Sequence, residues 1–305
     1  MKKFFLFCLS WFLVSQHALS DNIVFQDPVV KSLCVTNWDA DGDGELSYDE
    51  ASAVTSLGNV FRENKEISSF SELQYFTGLS SIEAYSFYDS SIKEVAFPPS
   101  ITSIDKYSFQ KTLLGPTLII PGNVKRIGTY AFASCFNIRH IIIQEGMESI
   151  GYNSFTGAIQ TMSIPSTINY IAAEAFNPYL YPGSSTNVDS QLLEGNFYLY
   201  THSSTPIKVQ RYAFRQLFSD GYLVVPFGSK DIYKSTSDWK NFRVILEYGD
   251  VNEDGFVNIA DVVAIVNHIL GTENGKFNEL IADVNGDGSI TIADVVLIVS
   301  FLLGE

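Results

Sequence analysis

The amino-acid sequence predicts an α/β repeat protein, a β-rich solenoid with a short acidic loop before it and a small all-α unit after it. Three observations carry this. An aliphatic residue followed five positions later by phenylalanine recurs six times between Ile82 and Phe214. Two near-identical acidic loops, each followed by an apolar-periodic stretch, close the chain from Asp250 onward. A further acidic loop lies at Asp39 to Glu50, ahead of the repeats. At 305 residues, 46% hydrophobic and 17% charged, the chain is ordinary globular material able to bury a sizeable core.

Residues 1–20 read as an export signal: Lys2 and Lys3 are its basic start, Phe4 to Val14 its apolar centre, and Ala18-Leu19-Ser20 its cleavage site. A mainly apolar run of eleven residues falls short of the roughly 20 that span a bilayer. Phe5-Leu6-Phe7 before Cys8 lacks the small residues a lipid-attachment site needs, so no lipoprotein is expected. Export implies a secreted or cell-surface location. The formal charge of -15 becomes -17 once Lys2 and Lys3 are removed, which argues against nucleic acid and anionic membrane as partners. Cys34 and Cys135 fall in different predicted regions and are expected to be buried free thiols.

The repeat pairs are Ile82/Phe87, Ile104/Phe109, Ile127/Phe132, Ile150/Phe155, Ile171/Phe176 and Val209/Phe214. A small residue precedes each phenylalanine: Ser86, Ser108, Ala131, Ser154, Ala175 and Ala213. Upstream lie β-rich runs closing in proline, such as Leu118 to Pro121, Met162 to Pro165 and Leu223 to Pro226. One coil of about 23 residues cannot bury its own apolar side chains, whereas stacked coils can, so these phenylalanines are scaffold. The position after each aliphatic residue (Glu83, Asp105, Gly128, Gly151, Ala172, Gln210) reads as a solvated coil edge.

The unit Ile127 to Ile141 resembles the BspA-like leucine-rich repeats, as do Phe70 to Leu79 entering the array and Val225 to Phe242 closing it. The resemblance spans about residues 60–245. It departs from the family pattern at Glu145, where proline is usual, and between Phe176 and Val209, where the period stretches to 38.

The acidic loops carry the metal chemistry. Asp39, Asp41, Asp43, Glu45 and Glu50 fill a twelve-residue EF-hand pattern, with Gly44 at the sharp turn and apolar Leu46 at position 8. Hard oxygens converging at this spacing suit calcium. The tandem copies offer Asp250, Asn252, Asp254, Phe256 and Asp261, then Asp283, Asn285, Asp287, Ser289 and Asp294. Each copy precedes a helix expected over Val262 to Leu270 or Val295 to Leu303, and 14 of the 22 positions from 250 to 271 recur 33 residues later. This loop and helix duplication resembles the type I dockerin. Val257 and Ile290, at position 8, are expected to pair across the two loops.

The resemblance implies a cohesin-like partner read by Ile259, Ala260, Ile292 and Ala293, with two binding orientations about a pseudo-twofold axis. The expected division is 1–20 signal, 21–59 EF-hand-like N-terminal cap, 60–245 solenoid and 246–305 dockerin. His140, His202 and His268 stand in no HExxH, GxSxG or Cys-His motif, so no enzyme is expected.

The sequence thus reads as a non-catalytic recognition or adhesion protein that binds an extracellular protein or glycan. The alternatives are a non-catalytic component of a polysaccharide-degrading complex, or a solenoid whose calcium regions are only caps. Tyr85, Tyr107, Tyr130 and Tyr212 share one repeat position, and the first three are expected to form a ladder along one face. The insertion after Phe176 adds Tyr179, Tyr181, Phe197, Tyr198 and Tyr200 to a candidate binding face.

Overall fold

The computed structural model describes residues 22–157, 159–176, 197–214, 221–272, 275–285 and 289–304. The export signal, Tyr179 and Tyr181 lie outside the described residues. The repeats form a coil with two main parallel sheets and two short two-stranded ones, joined by tight turns. One sheet stacks five two-residue strands: Ser81–Ile82, Ser103–Ile104, Arg126–Ile127, Ser149–Ile150 and Tyr170–Ile171. The other stacks six longer strands: Thr117–Ile120, His140–Ile143, Thr161–Ile164, Phe197–Thr201, Gly221–Val225 and Val244–Glu247.

Every coil places the same residues in the same row. The aliphatic residues Ile82, Ile104, Ile127, Ile150 and Ile171 are all buried. The phenylalanines form one column, Phe61-Phe87-Phe109-Phe132-Phe155-Phe176-Phe214, with ring centroids 4.9 to 5.9 Å apart and nearly parallel planes. Each such ring removes a large apolar surface from water, about 2 to 3 kcal/mol before stacking adds its share. The long insertion leaves this column intact. Ile171 still bridges Val209, and Phe176 still meets Phe214 at 5.4 Å.

Two sequence expectations change. The strand register sets Gln144, not Glu145, opposite Pro121 and Pro165. Glu145 instead accepts from the Ser166 amide and hydroxyl of the next coil, at 2.8 and 3.0 Å, and so fastens one turn to the next. Gly128 and Gly151 are not solvated edges. A Cβ there would lie 2.5 Å from the Lys106 amide nitrogen or 2.7 Å from the Gly128 carbonyl carbon, because coils meet backbone to backbone.

The two ends are closed differently. At the start, helix α1 (Pro28–Trp38) and short helix α2 (Tyr48–Ala53) flank the first acidic loop, and Trp38 packs on Phe61 and Phe76. Asp27 caps α1 through the Val29 and Val30 amides and reaches the Ser68 amide and hydroxyl with its other oxygen. At the far end Trp239 covers Phe214, its indole donating to the Ile207 carbonyl, and Tyr233 of helix α3 (Lys230–Ser235) packs on the indole. Beyond the last strand, Val244–Glu247, the two acidic loops lead into helices α4 (Ile259–Ile269) and α5 (Ile292–Leu303). Cys34 and Cys135 are buried free thiols, as expected.

The C-terminal helices lie on the outer face of the long sheet. Tyr200, Val224 and Leu246, in register on neighbouring strands, share one hydrophobic cluster with Val251, Val262, Ile265, Ile281, Val295 and Ile298. Tyr200 is therefore covered, so the expectation that it belongs to an open binding face is corrected. Phe197 points into the solenoid core, and Tyr198 is half-buried beneath the same helices.

Candidate functional site

The three acidic loops share a local device that explains their shape. Positions 9 and 12 are also the N-cap and third residue of the following helix. Ser47 with Glu50, Asn258 with Asp261, and Thr291 with Asp294 each form a reciprocal capping box. Helices α4 and α5 consequently begin at Ile259 and Ile292, three residues earlier than the apolar period suggested. The last carboxylate of each loop is thereby fixed before any ion arrives.

In the first loop the carboxylates are answered by the loop's own amides. Asp39 accepts from Gly42 at 2.7 Å and Gly44 at 2.9 Å, Asp41 from Asp43, and Asp43 from Glu45 at 2.7 Å. Glu50 accepts from Ala40 at 2.7 Å and from the Ser47 amide and hydroxyl. The Gly44 amide in particular holds the Asp39 carboxyl below its usual value. Burial pushes Glu50 up, but the Ser47, Ala40 and Asp41 bonds outweigh it and hold this carboxyl low as well. Oxygens of Asp39, Asp41 and Asp43 lie within 4.8 Å of one another, a spacing that fits a hard cation. The Glu45 carboxylate is committed to Lys31 at 2.6 Å, which leaves its main-chain carbonyl to serve at position 7.

The second loop is built from the same pattern in a drier place. Asp250 and Asp261 are fully buried. Burial, then the charge of Asp261, pushes the Asp250 carboxyl up to about 7 despite the nearby Lys230. Burial also raises Asp261, against the amides of Asn258 and Asn252 that donate to it. Asn252 and Asp254 are bonded to each other, the Asp254 amide reaching the Asn252 side chain at 2.8 Å. Phe256 sits at position 7, where only its carbonyl is needed. Two buried carboxylates facing each other are what a divalent cation would neutralise, so the residues fit calcium.

In the third loop Asp294 is fully buried and accepts from Val284 at 2.8 Å, Asn285 at 3.1 Å and Thr291 at 2.8 Å. Asp283 and Ser289 stand at positions 1 and 7. Asp287 lies outside the described residues. Val257 and Ile290 pack against the same hydrophobic cluster, but no β-bridge joins them among the described residues.

Sequence reasoning missed how the solenoid holds these loops. Lys230 of α3 donates its ammonium to the Gly255 carbonyl and its amide to Glu247. Phe227 meets Phe301 of α5, and Gly249 lies against Ile298 and Val257. The available signal was the outward row Tyr198, Tyr222, Val244 beside the row Tyr200, Val224, Leu246. Outward strand positions this apolar require a cover.

Ile259 and Ile292 do not fold into the core. They are both 65% exposed, and the equivalent pairs Val263/Val296 and Leu270/Leu303 are 51%/55% and 68%/68% exposed. Ala260 and Ala293 are exposed beside them. An apolar stripe is thus presented twice, once on each helix.

The expected tyrosine ladder is present. Tyr85, Tyr107 and Tyr130 stack at 5.0 and 5.2 Å, each half-buried and each with positive φ. Their ring faces are occupied by one another, so they offer edges rather than platforms. Ser163 and His202 approach to 2.9 Å, the one serine and histidine pair of nucleophile type among the described residues. Among the described residues no carboxylate bonds the other ring nitrogen of His202, and burial holds the imidazole below its usual value.

Comparison with known proteins agrees with this anatomy. Residues 59–180 match the BspA type leucine rich repeat region in six copies, and residues 248–303 match the dockerin type I domain. The chain therefore carries a BspA type leucine rich repeat region and a type I dockerin domain. Both are non-catalytic families. A solved structure of a leucine rich cell surface protein from Faecalibacterium prausnitzii A2-165 aligns at 16% identity with a TM-score of 0.26, covering 60% of this chain and 60% of that one. The chain thus spans about 60% of that structure's length. No curated protein matches it.

Proposed function

We propose that this is a secreted or cell-surface recognition protein that docks, through calcium-loaded α4 and α5, onto a cohesin-like partner, while its solenoid binds an extracellular ligand. The observation that carries the docking reading is the apolar stripe presented twice with matched exposure on a domain of the dockerin type. Soluble proteins seldom leave such stripes open unless a partner covers them. Calcium would be held by Asp250, Asn252, Asp254, Phe256 and Asp261, by Asp283, Asn285, Asp287, Ser289 and Asp294, and at the N-terminal end by Asp39, Asp41, Asp43, Glu45 and Glu50. Its chemistry is structural, the neutralisation of converging carboxylates. The working division keeps the sequence boundaries of 20, 59 and 245.

No helix among the described residues is long and apolar enough to cross a membrane, which suits an exported chain. For the solenoid ligand, the uncovered half of the long sheet's outer face offers exposed Ile119 and Ile142 beside half-buried His140 and Ser163. The test is binding of the full mature chain to a panel of purified type I cohesins in calcium and in EDTA. Binding to at least one cohesin, lost in EDTA, is expected. Absence of binding to any member of the panel would count against the docking reading.

A further inference from the structure

The two stripes are equal at Ile259/Ile292, Val263/Val296 and Leu270/Leu303, but the helices between those positions are not. On α4 the stripe also includes Ile269, 41% exposed, but Ala264, Asn267 and His268 beside it are only partly exposed. On α5 the equivalent residues are Leu297, Ser300 and Phe301, and only Asp294 and Ser300 are polar in the twelve residues of the helix. A helix apolar on all sides belongs in an interior. Here one side packs on the solenoid and α4, while Ile292, Val296, Leu297, Phe301, Leu302 and Leu303 remain 40% to 68% exposed. The solenoid adds to the difference. Phe301 is braced by Phe227 of the array, whereas its counterpart His268 is stacked on Phe277 of the loop between the helices.

We propose that α5 is the principal docking face for the cohesin-like partner, and that α4, despite the duplication, is a weaker secondary face. This rests on the docking reading above and deepens it. A partner seated along α5 covers Leu297 as well as the shared stripe, and it meets a helix fixed at its far end by the array. The same partner on α4 meets Ala264 in place of Leu297, and His268, stacked on Phe277, in place of exposed Phe301.

The test uses the full mature chain in calcium and whichever purified type I cohesin of the panel binds it. Ile292→Asp is expected to weaken binding by about tenfold or more, and Leu297→Ala by about threefold to tenfold. Ile259→Asp is expected to change it by less than about threefold. Ala264→Leu in the Ile292→Asp background should recover part of the loss. Calcium titration and circular dichroism of each variant verify folding, and Leu297→Ala is mild enough to keep the test open if an aspartate disturbs the helix. Equal losses from Ile259→Asp and Ile292→Asp would overturn the proposal and leave docking itself standing. Should no cohesin bind, docking falls with it. A concentration-dependent dimer abolished by Leu297→Ala would also overturn it, by assigning α5 to a second copy of the chain.

Discussion

The first acidic loop and the second obey one twelve-residue pattern yet sit in opposite electrostatic states. Around Asp39 the carboxylates are solvated and bonded to loop amides, and Asp39 and Glu50 ionise more readily than usual. Around Asp250 they are buried against each other, and Asp250 is pushed up to about 7. Ligand spacing alone therefore does not set the electrostatic state of a loop. Surroundings do. The N-terminal loop is attached to a packed cap by α1, Trp38 and Asp27, while the C-terminal loops are themselves part of the surface between the dockerin and the array.

The largest expected effect comes from the loop whose buried carboxylates fit a cation. Asp261→Ala removes both the position 12 oxygen and the α4 capping box, and in calcium it should destabilise the C-terminal helices by at least about 3 kcal/mol. Denaturant titration of the mature chain, followed by fluorescence and by the calcium affinity of the loop, measures this. Glu50→Ala at the matching place should cost only about 1 to 2 kcal/mol in EDTA, through its cap and amide bonds, with a further loss in calcium set by the ion ligand it removes. A Glu50→Ala cost that vanished in EDTA would mean that the ion, rather than the amides, holds the first loop.

Asp27→Ala should destabilise the N-terminal cap by about 2 kcal/mol at neutral pH, since it loses the cap of α1 and the bonds to Ser68. Burial raises this carboxyl, but the Ser68, Val30 and Val29 bonds outweigh it and leave the folded value below the ordinary one. With the folded value depressed, the stabilisation is present above the unfolded value near 4 and fades as pH falls through the folded value. Urea midpoints of the wild type and variant should therefore converge in acid, and a difference that persisted at low pH would contradict the charge-based cap.

The smallest effect calibrates the body between the two ends. The Ser154 hydroxyl is buried without a hydrogen-bond partner at a place where neighbouring coils carry Ala131 and Ala175. Ser154→Ala should be neutral or stabilise by up to about 1 kcal/mol, equally with and without calcium. A clear loss of thermal stability would show that the hydroxyl is used.

The coil was legible because one row of residues repeats through the array: Ile82 to Val209 and Phe87 to Phe214 each return at one structural position. The metal-type loops were legible because calcium geometry restricts which residues can stand at positions 1, 3, 5, 6 and 12. The fusion of the dockerin onto the sheet was not. It depends on Tyr200, Val224 and Leu246, which belong to strands far apart in sequence and become one surface only when parallel pairing sets their register. The exposure of Ile259 and Ile292 was also undetermined, because an isoleucine at the first turn of a helix suits a core or a surface equally well.

Hydrogen exchange of the mature chain in calcium and in EDTA tests the central claim, that the C-terminal loops depend on the ion and the N-terminal loop does not. In EDTA, amides of α4 and α5 should lose protection, and the uncovering of Tyr200, Val224 and Leu246 should expose the last strands of the long sheet. Amides of α1, α2 and the coils from Ile82 to Phe176 should exchange as they do in calcium. Equal loss of protection at both ends, or at neither, would contradict the account.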